Sequence, residues 1–312
     1  MMHLILGGSG FIGMRLIRTL LAADNEIIVV DKAIETELLA LNEHEPKLRI
    51  FKFDIINSEG LKKLLIQELD TQPIILWHLA ANSNILNGVN NSMIDFKDTL
   101  GTTCTAVEIS RMFNTRLFIF SSSSAVYGDM KDKLLREDDM EFFPISNYGV
   151  MKLSSEYLLK ANNSLFNVPT LIFRFPNVVG WPTTHGVIFD LYNKLTKSNL
   201  ILEVLGDGFQ TKPYIHVDDL IQIMIKISNL NPNFEVINIA PDDSGISVRE
   251  IVEILTHHLS LNPKIIYQKS SYGWLGDVPR YHFDVTKLNK FITNLNLRSK
   301  NAIEKTMKEI PW

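Results

Sequence analysis

His3-Leu4-Ile5-Leu6 is a short apolar run of buried-strand type, and Gly7-Gly8-Ser9-Gly10-Phe11-Ile12-Gly13 follows it at once. Met14-Arg15-Leu16-Ile17-Arg18-Thr19-Leu20-Leu21 then has helical periodicity. Strand, glycine turn and helix in this order form the context a dinucleotide fingerprint requires. Gly8, Gly10 and Gly13 fit G-x-G-x-x-G, and Gly7, Gly10 and Gly13 fit the related G-x-x-G-x-x-G. Glycine lets the backbone turn tightly and approach a pyrophosphate at the positive end of the helix. A second strand, Ile27-Ile28-Val29-Val30, ends in Asp31. That acid lies about 20 residues past the glycines, where a carboxylate binds adenine-ribose hydroxyls. It would repel a 2′-phosphate, which favours NAD over NADP. The competing reading is a glycine-rich turn and a surface acid on any α/β protein. Strand, helix and terminal acid together weigh against it.

Ser123 follows the apolar run Leu117-Phe118-Ile119-Phe120, inside Ser121-Ser122-Ser123-Ser124-Ala125-Val126-Tyr127-Gly128. Tyr148 and Lys152 stand at i and i+4, on one face of a helix. There an ammonium can stabilise a phenolate and draw the tyrosine pKa toward neutrality. A tyrosine tuned in that way is a general base for a substrate hydroxyl. Such a spacing arises often by chance and gains weight only beside a dinucleotide site.

The rest of the chain alternates strand-like and helix-like segments. Arg49–Asp54, Ile74–Ala80, Leu117–Phe120 and Thr170–Arg174 read as strands. Helices are expected near Glu59–Leu69, over a long stretch Ile94–Phe113, and from Tyr148 to about Asn162. The fold class is therefore α/β: a doubly wound, Rossmann-type parallel sheet. Asp31, Asp54, Ala80, Ser123 and Arg174 all fall near carboxyl ends of strands, where such sheets bind ligands. Past Pro176, loop residues cluster at Asn177–Gly186, Gly206–Pro213, Pro241–Gly245 and Gly273–Pro279. This gives a nucleotide domain over 1–175, with a returning segment near 215–240, and a smaller substrate lobe over 176–312.

Composition narrows the classes further. A net charge of −4 without a basic, aromatic-interleaved block argues against nucleic acid as a partner. Cys104 is the single cysteine, so an intramolecular disulfide and a cysteine-based zinc site are excluded. Its neighbours Val107 and Ile109 suggest a small core residue. No apolar stretch approaches the roughly 18 residues of a membrane span. The first residues carry no basic leader, so a cytoplasmic location is expected. His257-His258 lacks an acid or cysteine at ligand spacing, and no metal is expected. His78 reads as a packed strand residue and His216 as a loop support. Trp181 and Trp274 could stack on a base or fill a lobe.

These residues resemble the extended short-chain dehydrogenase/reductases, and within them the nucleotide-sugar epimerase/dehydratase family. The resemblance spans nearly the whole chain. It rests on Gly7 to Gly13, Asp31, Asp54-Ile55, His78-Leu79-Ala80-Ala81, Ser122 to Gly128 and Tyr148-x-x-x-Lys152. Arg174-Phe175-Pro176-Asn177-Val178-Val179-Gly180 and His216-Val217-Asp218-Asp219 complete it. It implies a cofactor groove of Gly7, Gly10, Phe11, Ile12, Gly13, Asp31, Lys32, Asp54, Ile55, Leu79, Ala80 and Ala81, reached by Tyr148 and Lys152. It implies a catalytic set of Ser123, Tyr148 and Lys152. Ser123, Ser124, Asn177, Lys212 and Arg280 are implied substrate contacts, the last two also readable as solvated loop charges. Where the family carries an Arg-Asp pair this chain has Lys212-Pro213, which keeps the charge and loses the bidentate fork. Asp98 stands where many relatives have Asn.

The resemblance further implies NAD as cofactor, a nucleotide-diphosphate sugar as substrate and 4-epimerisation through a 4-keto sugar. A 4,6-dehydratase is the runner-up, but relatives that do that chemistry carry Asp-Glu where this chain has Ser124-Ala125. A net reductase, or a non-catalytic NAD-binding module, are the remaining alternatives. A homodimer is implied too, with Met151, Leu158 and Leu159 as candidates for its face.

Overall fold

The structure is a computed structural model that describes all residues except 70, 132, 140, 271, 272, 274–277 and 312. Trp274, and Gly276-Asp277 ahead of Arg280, lie outside the described residues. The chain divides into two compact units. Unit 1 comprises Met1–Val126, Ser146–Arg174 and Ile221–Ile237; unit 2 comprises Tyr127–Ile145, Phe175–Leu220 and Asn238–Trp312.

Unit 1 is built on β1 (Met2–Leu6), β2 (Glu26–Asp31), β3 (Leu48–Lys52), β4 (Ile74–His78) and β5 (Thr115–Ser121). With the strands Thr170–Arg174 and Phe234–Asn238 they make a seven-stranded sheet. From one edge its order is Phe234–Asn238, Thr170–Arg174, β5, β4, β1, β2, β3. It is the parallel sheet expected from the alternation, with β1 between β2 and β4. Chain order reverses at β1, so a crevice opens beyond the carboxyl ends of β1 and β4. The side chains alternate across the sheet. Met2, Leu4 and Leu6 join Ile28, Val30, Leu76, Phe118, Phe120 and Leu159 in one buried cluster. On the opposite face of β1, His3 Nδ1 accepts from the buried Trp77 Nε1 at 2.9 Å.

The stretch expected as one long helix near Ile94–Phe113 is interrupted. Ser92–Asp95 is helical, Phe96–Gly101 forms a wide π-helical turn, and Thr102–Met112 resumes the α-helix. Thr102 Oγ1 donates to Asp98 O and Thr103 Oγ1 to Thr99 O, both at 2.8 Å. These hydroxyls bond backward along the turn, and periodicity alone carries no sign of such a bulge. Cys104 is exposed rather than buried. It shares an outward face with Glu108 and Arg111, whereas Thr103, Val107 and Ser110 turn inward. The helix bearing Tyr148 extends past Asn162 to Phe166 and closes on Asn167 in the left-handed conformation (φ 54°). On it Leu159 is fully buried in the sheet cluster and Leu158 packs against it, so these leucines serve unit 1 itself.

Unit 2 holds its own core. The helices Val187–Lys197, Val248–His258 and Ser299–Glu309 bury Leu191, Leu195, Ile251, Leu255, Ile303 and Met307 together. Short strand pairs surround it: Asn177–Val179 with Tyr214–His216, Ile201–Val204 with Lys264–Tyr267, and Thr211–Lys212 with Ile246–Ser247. Tyr127–Ile145, expected within the nucleotide domain, is counted here. Tyr127 donates to Asn238 Oδ1 at 2.6 Å and packs on Phe142 and Phe283. Among the described residues, no helix is long and apolar enough to cross a membrane.

Gly7 separates two effects of a side chain in the turn after β1. Its φ is +83°, and a Cβ there would stand 2.4 Å from Ala80 N. Gly7→Ala is expected to cost about 1–3 kcal/mol of unfolding free energy. Gly10→Ala, whose Cβ would meet nothing within 4 Å, should cost less than about 1 kcal/mol. Urea melts of both variants check this; equal losses would show that the turn does not set the β1–β4 approach.

Candidate active site

The residues expected to face the nucleotide all belong to unit 1. The helix α1 (Phe11–Ala22) starts from Gly10 with no side-chain cap and no acid in its first turn. Its leading N–H groups thus have no competing side-chain anion, and a diphosphate is the natural partner for them. A Cβ on Gly13 would lie 2.4 Å from Gly8 O, so only glycine lets α1 sit this close to the turn. Leu79 and Ala80 at the end of β4 both donate backbone N–H to Leu6 O, at 2.8 and 2.9 Å. Asp31 closes β2 beside the turn, its Oδ2 accepting from Ser9 N at 3.0 Å and its Oδ1 from Ala33 N at 3.2 Å. Burial pushes its carboxyl above the usual range, opposed by those backbone donors. Phe11 and Ile12 open α1 half-buried, Ala81 follows Ala80 half-buried, Asp54 is exposed and Ile55 is buried. Lys32 is exposed and its Nζ lies 2.7 Å from Asp98 Oδ2. A glycine cradle, an uncapped helix start and a fixed acid at the next strand end are what an adenine dinucleotide requires. The residues present therefore fit NAD.

Ser123, Tyr148 and Lys152 meet at the end of β5. Ser146 caps the helix Asn147–Phe166 by accepting from Gly149 N, which sets Tyr148 in its first turn. Ser123 lies near enough to the Tyr148 phenol to favour its ionised form, and its Oγ accepts from Ala125 N at 3.2 Å. Ser124 stands next to it in a 3-10 turn, Ser124–Val126. Tyr148 is half-buried, while Lys152 is only 1% exposed. Lys152 Nζ donates to Ser121 O at 2.6 Å and sits 4.6 Å from the centroid of the Phe120 ring. It is 5.8 Å from the centroid of the Tyr148 ring.

This geometry corrects the expected tuning. The phenol is not drawn toward neutrality in the protein alone. Burial pushes it up to about 12, with the Asp95 charge adding to the rise and Ser123 opposing it. Lys152 is lowered to about 7, first by burial, with Glu156 opposing. A lysine that is itself half neutral, and directed to a carbonyl, lends the phenol little charge.

Two buried polar groups, Glu156 and His78, stand behind this set. Glu156, one helical turn beyond Lys152, binds Arg174 through Nη2–Oε2 at 2.6 Å and Nε–Oε1 at 3.0 Å, and also receives Ser122 Oγ. Both partners are nearly solvent-free. The i+4 step from Lys152 would have marked Glu156 as facing inward. His78 is fully buried, with Nε2 2.9 Å from Thr103 Oγ1, and burial lowers it to about 3.

Of the expected substrate contacts, Ser123 and Ser124 belong to unit 1, and Asn177, Lys212 and Arg280 belong to unit 2. Asn177 Nδ2 donates to Tyr281 Oη at 3.3 Å. Lys212 lies in the strand pair with Ile246–Ser247, and Gly245 leaves room for its backbone: a Cβ there would meet Lys212 C at 2.3 Å. Arg280 lines a cleft of about 260 Å³ with Asp129, Lys131, Asp207, Phe209, Gln210 and Pro279. Gln210 is 4% exposed and neither amide atom has a hydrogen-bond partner within the protein. Trp181 packs edge-on against Tyr192. His216 is fully buried, its Nδ1 accepting from Asp218 N at 3.2 Å and its Nε2 3.3 Å from Glu309 Oε1. His216, Asp218 and Glu309 lie close enough to share a cation, but Lys305 Nζ already stands 3.3 Å from Asp218 Oδ2.

The burial of Lys152 has a thermodynamic signature. Unfolded, the lysine holds its proton up to about pH 10.5; folded, only up to about 7. Between these values the folded protein binds fewer protons, so stability rises with pH there and is lost as pH falls from about 10.5 to about 7. The stability difference between wild type and Lys152→Met should therefore grow in favour of wild type from about pH 7 to 9.5. Urea melts across that range measure it, and a flat difference would place the ammonium in water.

Comparison with known proteins agrees with this arrangement. Residues 3–240 match the NAD dependent epimerase/dehydratase family. A crystal structure of UDP-galactose 4-epimerase is 28% identical, covers 99% of this chain and 98% of its own, and superposes with a TM-score of 0.84. UDP-glucuronic acid 4-epimerase from Bacillus cereus, solved with UDP-glucuronic acid and NAD, is 25% identical with a TM-score of 0.85 and the same coverage. UDP-N-acetyl-alpha-D-glucosaminuronate decarboxylase of Bacillus cytotoxicus is 25% identical over 92% of this chain and 90% of its own. With the glycine cradle, the acid closing β2 and the Ser-Tyr-Lys set on one sheet edge, the match over most of its length places this chain in the NAD-dependent epimerase/dehydratase family of extended short-chain dehydrogenase/reductases.

Proposed function

We propose that the chain is a nucleotide-sugar 4-epimerase, acting on a UDP-sugar through a 4-keto intermediate. The observation that carries this reading is the buried Lys152, donating to Ser121 O with its Nζ 5.8 Å from the centroid of the Tyr148 ring, on the sheet edge that also holds Ser123 and the glycine turn. NAD, when bound, accepts and returns the hydride of the sugar carbinol. Tyr148 removes the hydroxyl proton and later gives it back. Ser123 hydrogen-bonds the same oxygen and stabilises the charge that develops there. Lys152 holds the cofactor ribose and supplies positive charge in its protonated form. Asp31 and Lys32 hold the adenine ribose, Asp54 and Ile55 the adenine, and Leu79, Ala80 and Ala81 line the groove.

On the substrate side, Asn177, Lys212 and Arg280 are assigned to the diphosphate, with Ser124 near the sugar. The cleft at Arg280 supports this through Arg280, Lys131 and Phe209, with Asp129 and Asp207 also in its lining. Both nearby solved structures carry 4-epimerase names. The positions after Ser123 hold Ser124 and Ala125, so no carboxylic acid stands there to protonate a leaving hydroxyl. That favours epimerisation over 4,6-dehydration.

Tyr148→Phe should retain NAD and lose about 10²–10⁴-fold in turnover. A Phe variant of near-native activity would remove the assignment. Incubation with UDP-, dTDP-, GDP- and CDP-sugars, with products identified by NMR, should give a C4 epimer from a UDP-sugar and no net consumption of free NAD. Stoichiometric cofactor turnover would indicate a reductase instead.

A further inference from the structure

Lys32 puts a cation where a cation changes the choice of cofactor. It follows Asp31 at the carboxyl end of β2, the strand end at which a dinucleotide's adenine ribose is read. Asp31 is fixed there by Ser9 N and Ala33 N, and its charge repels a 2′-phosphate. A free lysine one residue further on would attract that phosphate and offset the repulsion. Lys32 is not free. Its Nζ donates to Asp98 Oδ2 at 2.7 Å, across 66 residues of chain. The lysine side chain is 55% exposed and the aspartate 31%, so the pair adds little to folding stability. Its charges act mainly on what binds beside them.

Asp98 is delivered by the wide turn Phe96–Gly101, which departs from the α-helical step. The turn is tied on both sides of Asp98. Thr102 Oγ1 donates to Asp98 O at 2.8 Å, and Thr99 Oγ1 accepts from Asn82 N, beyond the end of β4, at 3.2 Å. In the sheet β1 separates β2 from β4, so the ion pair joins the segments that flank the glycine turn, all within unit 1. An asparagine at position 98 could still accept from Lys32 but would leave its charge unopposed. With the aspartate, the ionised forms of Asp31, Lys32 and Asp98 sum to one negative charge; without it, to none.

We propose that Asp98 is a positioning residue for cofactor choice: it holds Lys32 away from a 2′-phosphate, so that the end of β2 takes NAD and rejects NADP. Asp31 repels the phosphate, and Asp98 removes the neighbour that would rescue its binding. The inference rests on the placing of Asp31 at the adenine ribose given above. It does not depend on which sugar is turned over.

The test is the ratio of the two cofactors bound. Purified protein is dialysed to equilibrium against equal, excess concentrations of NAD and NADP at low salt, and the nucleotide it releases on heating is separated by chromatography. General damage to the groove lowers both occupancies and leaves their ratio in place. Asp98→Asn should raise the NADP:NAD ratio about tenfold, the effect of one uncovered charge a few ångströms from a phosphate near a protein surface. The gain should shrink at about 0.5 M NaCl, where such a charge is screened. Asp98→Ser removes the same charge and serves if Asp98→Asn fails to fold. Asp98→Glu should keep the wild-type ratio, and Lys32→Met added to Asp98→Asn should return it to within about twofold of wild type. A ratio unmoved by loss of the Asp98 charge, or a raised one that survives Lys32→Met, would overturn the inference. Asp31→Ser should raise the ratio by itself. If it does not, the ribose placement falls; if only the Asp98 effect is missing, that placement stands.

Discussion

Desolvation at the end of β5 governs this site. Lys152 is placed among Phe120, Ser121 and the Tyr148 ring with almost no water contact, and its Nζ satisfies the Ser121 carbonyl. Burial is the largest cause that carries the lysine to about 7 and the phenol to about 12. The phenol rests neutral and the lysine about half neutral near pH 7, the direction in which lost solvation drives each group. The pair is therefore poised rather than active. An ammonium at i+4 activates a phenol only if the protein lets it stay charged, and here that depends on what else enters the site. Glu156 works in that direction, since its charge favours the ammonium, and Arg174 holds Glu156 in place.

The sheet supplies the geometry that makes such a pair useful. Parallel strands direct every loop after a strand to the same edge, so residues far apart in sequence converge without long-range design. Gly7 after β1 and Ala80 after β4 touch because those strands are neighbours at the point where strand order reverses. Ser121 to Ser124 leave β5 on that edge, and the helix of Tyr148 and Lys152 is anchored by the Ser146 cap. Each local feature is modest. Their agreement on one edge is what gives the chain a site.

Much of this was legible from residue patterns, for physical reasons that differ by element. The strands of unit 1 are short apolar runs whose both faces are covered, so they stand out from the segments between them. The glycine turn was legible because its spacing follows from backbone crowding that only glycine relieves, as at Gly13 against Gly8 O. The break at Phe96–Gly101 was not legible, because a π-helical turn preserves apolar spacing while changing the hydrogen-bond step. Cys104 was misplaced for a related reason: its neighbours in sequence are buried, yet it faces outward by helical phase. The protonation states were out of reach altogether. They depend on which atoms exclude water, and Tyr148 and Lys152 carry the same letters whether the pair is dry or wet.

The candidate residues also divide by unit. Ser123, Tyr148, Lys152, Asp31 and Asp98 all lie in unit 1, whereas Asn177, Lys212 and Arg280 lie in unit 2. The two sets obey different constraints. The proposed proton-transfer set tolerates little change, because burial governs the ionisation of both Lys152 and Tyr148, and at Lys152 the Glu156 charge opposes it. Contacts to a diphosphate or a base act more nearly one at a time. Lys212 can replace an arginine and still present a positive charge. This explains why relatives of similar fold carry names of different reactions and sugars while the dinucleotide signature persists. It also locates the substrate question for this chain in the residues around Gln210, Lys212 and Arg280, where a buried amide without a protein partner lies at the wall of a cleft lined by charges of both signs.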